Sequence, residues 1–143
     1  MPYEELLAAG RIRRVEASRK EVDQALQRAQ RDLATARKIM AEDWDWGFAV
    51  AYNAVLQASR AYMFAQGYRP ASAEGHKNTF AFMREALGQP HEKLIGYFDR
   101  MRNKRHQAMY DVAGMISETE ARSLLKEASD FVAFIARKLG RKT

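Results

Sequence analysis

With 143 residues and no cysteine, the chain is about the size of one domain able to bury a core without disulfides or metal, and it holds no disulfide framework, thiolate zinc site or cysteine nucleophile. Its 24 Lys and Arg against 18 Asp and Glu leave a formal charge of +6, which suits polyanionic partners such as RNA, DNA or nucleotide phosphates and equally suits plain solubility. The N-terminal "MPYEELLAAG" carries two glutamates and no apolar region, and the longest apolar run is "FVAFIA" at 131–136, so no signal peptide or membrane span is expected and a cytoplasmic setting is.

Three prolines and eight glycines break the chain sparingly, and the helices are read between them. A short helix is expected over Tyr3–Ala9. From about Ser18, the positions Val22, Ala25, Ala29, Leu33, Ala36 and Met40 recur with the period of an amphipathic helix. It ends before "EDWDWG", where Asp43 or Asp45 is placed to cap the next helix. Phe48, Ala51, Tyr52, Val55, Ser59 and Tyr62 carry that second long helix to a stop at Gly67. "GYRPASAEG" reads as a connecting loop, and "HKNTFAFMREALG" as a third helix closed by Gly88. Pro90 opens a fourth, running to about Val112, and Ser117 with Glu120 forms a capping box ahead of Leu124, Ala128, Phe131, Ile135 and Leu139. The expectation is an all-α helical bundle of about five main helices in a single domain, residues 1–143 with its core at about 18–138, and no strand.

One stretch concentrates chemistry. "DRMRNKRHQAMYD", residues 99–111, sets Arg100, Arg102, Lys104, Arg105 and His106 together with no acid between them. On a helical wheel, Leu94, Phe98, Met101, Arg105, Ala108 and Val112 share a core stripe in which Arg105 is the odd member. Asp99, Arg102, Asn103, His106 and Tyr110 form the adjacent polar stripe, and Arg100 lies about 120° from His106 around the axis. The polar stripe with Arg100 gathers the side chain that exchanges protons near neutral pH, two guanidinium forks suited to phosphate oxygens, and amide and phenol donors. That inventory suits phosphodiester chemistry or phosphate binding; a solvated charged face accounts for the same residues. The chain has no H-E-x-x-H, paired-carboxylate or Cys/His metal spacing, and His76 and His91 stand alone in the sequence. His76 is read as capping or lining the start of the third helix, Trp44 and Trp46 as core or dimer anchors with base stacking as the other reading, and Met63, Met83 and Met109 as core filler.

Two separated segments resemble one family. "AVAYNAVLQASRAYMFAQGYRPASAEGHKNTF" at 49–80 is similar to the A-x-x-A-Y-x-A-x-x-x-A-A-R-A-L-L-x-x-x-G-Y-R-P signature of the HEPN superfamily, through Ala51, Tyr52, Asn53, Ala54, Ala58, Arg60, Ala61, Gly67, Tyr68, Arg69 and Pro70. Arg100 to His106 resembles the R-x(4–6)-H motif of HEPN ribonucleases, and "RHQAMYD" resembles the R-[HN]-x-A-x-Y-D ending of small prokaryotic members. The pattern allows asparagine at the position of His106, and the H-x-Y tyrosine of toxins silenced by adenylylation is absent, since Ala108 stands there and Tyr110 lies two residues further on.

The resemblance implies an up-and-down four-helix core, usually homodimeric, with the motif helices of both protomers facing a shared cleft. It also implies RNA or nucleotides as ligands, and either metal-independent endoribonuclease action of toxin–antitoxin or defence type, or a non-catalytic interaction module. A nucleotidyltransferase is the further partner it suggests, and no cofactor is expected. In the catalytic version His106 acts as general base or acid, Arg100 and Arg102 clamp the phosphate, and Asn103, Lys104 and Tyr110 bind substrate. Because Arg100 and His106 diverge on one helix, a two-fold dimer is expected to bring Arg100 or Arg102 of one subunit to His106 of the other.

Overall fold

The computed structural model describes residues 3–111 and 114–141; Val112, included in the fourth-helix reading above, lies outside the described residues. The chain runs through α1 (Glu4–Ala8), β1 (Ile12–Arg14), α2 (Arg19–Ile39), α3 (Trp44–Gln66), β2 (Tyr68–Pro70), α4 (Gly75–Leu87), α5 (Glu92–His106) and α6 (Glu118–Lys138). A single 3₁₀ turn at Gln89–His91 leads into α5, and a π turn at Gln107–Asp111 extends it. The described residues are thus an all-α bundle with one minor sheet.

Local chemistry sets most of these boundaries. Ser18 and Ser117 each accept the backbone N–H three residues on, while Glu21 and Glu120 accept the serine N–H in return, so α2 and α6 both start on complete capping boxes. Asp43 caps α3 by accepting the Trp46 N–H at 3.0 Å. Its neighbour Asp45 instead accepts the N–H groups of Gly114 and Ile116, at 2.7 and 3.2 Å, and fastens the segment before α6 to the start of α3. Gly67 ends α3 at φ 90°, a conformation that costs a residue with a Cβ but not glycine.

Helix α3 is the hub. Alanines 49, 51, 54, 58 and 61, together with Phe48, Tyr52, Val55 and Met63, are buried round most of its circumference, as a helix with neighbours on several sides requires. It packs against α2, α4, α5 and α6, and its small residues let the α2 stripe of Val22, Leu26, Ala29, Leu33 and Ala36 approach closely. Phe98 of α5 meets Phe131 of α6 edge-on at 5.1 Å, closing the core between those two helices.

The strand-free expectation is corrected. Ile12–Arg14 pairs antiparallel with Tyr68–Pro70, in the register Ile12 opposite Pro70 and Arg14 opposite Tyr68. Tyr68–Pro70 is the first part of the segment read as a loop. The pairing anchors the N-terminal arm, because Tyr3 is buried against Phe82 of α4 with stacked rings 4.4 Å apart and against Tyr68 at 5.0 Å. The Arg11 Nε–H donates to Asn78 Oδ1 at 2.9 Å and completes the hold on α4. Strap and bundle together bring the start of α4 opposite the second half of α5.

Candidate functional site

The site grows outward from Tyr52, which α3 carries in the core with no exposed surface. Its hydroxyl hydrogen-bonds His76 Nδ1 of α4 at 3.2 Å, and the Arg105 guanidinium of α5 lies 5.6 Å from the centre of its ring. One buried phenol therefore braces a group from each of the two helices that face each other. Burial raises the Tyr52 pKa far above its usual value, against the opposing pull of Arg105 and Arg102, so the phenol stays protonated at neutral pH. The buried Nε of Arg105 has no hydrogen-bond partner among the described residues.

Above this brace is a hollow of about 580 Å³. Arg102, Asn103, Arg105 and His106 line it from α5, Tyr110 from the π turn, and Glu74, Gly75, His76 and Lys77 from the start of α4. Arg102 is aimed by Asp99, which accepts its Nε–H at 3.0 Å and also pairs with Arg84 at 3.6 Å. The His106 and Tyr110 rings sit 5.0 Å apart. Glu74 turns the chain into α4 at φ 55°, a left-handed conformation that costs a non-glycine residue about 1–3 kcal/mol. Among the described residues no side chain caps α4, and the N-terminal end of the helix favours negative charge at the rim.

His76 reaches solvent, but partial burial lowers its pKa, and the nearby Arg105, Arg102 and Arg60 guanidiniums push in the same direction. It is therefore neutral at pH 7. Its bond to Tyr52 permits two tautomers: the phenol donates to Nδ1 and Nε2 carries the proton, or Nδ1–H donates to the phenol and Nε2 carries the lone pair.

Of the residues singled out from sequence, Arg102, Asn103, His106 and Tyr110 meet in the hollow. Arg100 and Lys104 are not among its lining. Arg100 is exposed on the far side of α5, with its guanidinium beside Gly96. The Lys104 ammonium pairs with Glu120 at the head of α6. Arg105 and Lys77 were missed, whereas His76, read as capping or lining the start of α4, does line the hollow there. His76 does not stand alone, nor does it cap α4: the cap position is Glu74, and His76 shares the hollow with His106. His91, by contrast, packs against Phe134 at 4.8 Å, away from the site. Trp44 is half-buried under the Arg122 guanidinium, Trp46 is exposed, Met63 and Met83 are in the core, and Met109 packs at its edge. Among the described residues, no three His, Asp or Glu side chains gather as a metal site would need, and no helix is long and apolar enough to cross a membrane.

Fold and site together define a small helical-bundle domain with a cationic hollow between two of its helices. The family model for the HEPN domain matches residues 22–139, which span α2 to α6, and the chain belongs to that family. No curated protein matches it.

Proposed function

We propose that the hollow between α4 and α5 binds the phosphate of RNA or a nucleotide, and that the protein is a metal-independent endoribonuclease of toxin–antitoxin or defence type working in the cytoplasm. The observation that carries this reading is the gathering of two histidines and two arginines on one hollow, with His76 held neutral beside Arg102 and Arg105. Arg102 and Arg105 take the non-bridging phosphate oxygens and stabilise the charge of the pentacovalent transition state. In the tautomer with its proton on Nδ1, His76 accepts the ribose 2′-hydroxyl proton at Nε2. The 2′ oxygen attacks phosphorus, the bond from phosphorus to the 5′ oxygen breaks, and His106 supplies the proton that the leaving oxygen takes. A 2′,3′-cyclic phosphate and a 5′-hydroxyl result. Asn103 and Tyr110 bind substrate at the rim. Lys104 keeps its structural hold on α6, and Arg100 enters from the second subunit of a homodimer.

The test uses purified protein and single-stranded RNA in excess EDTA. Cleavage leaving a cyclic phosphate is expected, and His106→Ala should reduce it by at least about a hundredfold, as removal of a general acid or base does, while thermal unfolding is unchanged. Activity lost on chelation refutes the metal-free route. Salt-sensitive RNA binding with no cleavage favours instead a non-catalytic HEPN module, one that binds nucleotide or RNA or partners a nucleotidyltransferase.

A further inference from the structure

The phosphate hollow continues into a second one on the side of α2. Asp32, Trp46, Val50, Asn53, Met109 and Tyr110 line this neighbour, of about 340 Å³, and it shares Arg105 and Tyr110 with the first. Trp46 and Tyr110 are 57 % and 70 % exposed, and among the described residues they are the large hydrophobic side chains left open to water. A core does not need them there, and both border the same space. Planar aromatic walls beside a cationic hollow suit a flat ring attached to a phosphate.

At the α2 side of this space stands a polar pair of fixed sense. Asn53 Nδ2 donates to Asp32 Oδ2 at 2.7 Å. A carboxylate only accepts, so the Asn53 amide has its NH₂ toward Asp32 and its Oδ1 turned away. Asp32 and Asn53 both line this space, Asn53 also bordering a further hollow toward Arg60 and His76, and Asp32 Oδ1 and Asn53 Oδ1 are acceptors with no donor from the described residues. Among the four RNA bases only guanine has two adjacent donors, N1–H and N2–H₂, on its Watson–Crick edge. Adenine and cytosine offer one donor beside an acceptor, and uracil one donor between two acceptors; each would set an acceptor against a half-buried acceptor of this pair.

Resting on the phosphate reading above, we propose that this second hollow is a nucleobase slot selective for guanine. The base lies against Trp46 and Tyr110, its N1–H and N2–H₂ donate to the Asp32–Asn53 pair, and its own phosphate reaches Arg105 in the first hollow. The protein would then choose guanosine positions in RNA.

Titration of the wild-type protein with GMP, AMP, CMP and UMP decides the matter without any variant. GMP is expected to bind at least about tenfold more tightly than the other three, within what a bidentate base contact supplies. Asp32→Asn retains an oxygen to accept from Asn53 but sets a donor toward the base, and should bring GMP to the level of AMP while the other three change by less than about twofold. Trp46→Ala should weaken all four. Equal affinities for the four nucleotides, with inorganic phosphate displacing each, overturn the slot and leave the phosphate site standing. Failure of both nucleotides and inorganic phosphate to bind overturns both. Conversion of a dimer to a monomer by Trp46→Ala, with nucleotide affinities kept, assigns the aromatic face to subunit contact and overturns the slot.

Discussion

Tyr52 serves two neighbours through different parts of one side chain, its ring under Arg105 and its hydroxyl on His76. The consequence is an imidazole fixed in place, partly desolvated and close to three guanidiniums, and burial first and the charge second have a measurable signature. The folded-state pKa of His76 lies below the ordinary value of 6.5, so between those two values the unfolded chain binds the extra proton and the folded chain does not. Stability therefore rises with pH across that window, is fully present above about 6.5, and is lost as pH falls through the folded pKa. His76→Gln, which still hydrogen-bonds the Tyr52 phenol without titrating, should flatten the pH dependence of urea midpoints just below about pH 6.5. Phosphate at saturating concentration should flatten the wild-type curve too, because a bound anion beside His76 offsets the guanidiniums. Equal slopes for wild type and variant would show that the fold does not lower the His76 pKa. The sequence offered little warning of the arrangement: Tyr52 has the spacing of a core residue and His76 is isolated, and only the fold sets them against each other. Arg105 gave a partial signal, as the one charged residue on an apolar stripe.

At the scale of elements, the approach of α2 to α3 depends on a missing Cβ. A methyl at Gly47 would lie 2.7 Å from Met40 Sδ and 3.1 Å from Met40 Cα. Met40 is buried at the end of α2, so the sulfur has little room to retreat and the backbone less. Gly47→Ala gains about 1 kcal/mol of helix propensity and loses about 1–3 kcal/mol to overpacking, and a net destabilisation of about 1 kcal/mol is expected by urea denaturation. Adding Met40→Ala should leave the double variant less destabilised than the two losses summed, because the overpacked atoms are gone. A stabilised Gly47→Ala would refute the close approach. Elements of this kind were well marked in the sequence where their determinants are local: the Ser117–Glu120 box and the Gly67 stop lie within a few residues of what they cap. The β1–β2 pair escaped because three residues cannot display an alternation, and its partners lie more than fifty positions apart. From Gln107 the π turn departs from 100° per residue, so the wheel that sorted Arg102 and His106 loses its meaning by Tyr110.

For the molecule as a whole, the question is which residues of the motif helix act within one chain. Arg102 and His106 line the same hollow of a single protomer, whereas Arg100 does not line it and stands about 120° from His106 around α5. The expectation that either arginine crosses between subunits thus narrows to Arg100. In the homodimer proposed above, the two-fold axis lets Arg100 of each chain approach the hollow of the other. Co-expressing differently tagged inactive chains isolates the heterodimers that decide this. Arg100→Ala paired with His106→Ala leaves one hollow that keeps its own His106 and receives Arg100 from its neighbour, so activity near half that of the wild type is expected. Arg102→Ala paired with His106→Ala damages both hollows, each within its own chain, and should stay as inactive as its parents. Rescue by the second pair would place Arg102 across the axis against its position in the fold. No rescue by the first pair would assign Arg100 to its own chain, and a wild-type monomer in sedimentation would confine the whole site to one protomer; an Arg100→Ala homodimer as active as the wild type would leave Arg100 as a solvated cation on the outer face of α5.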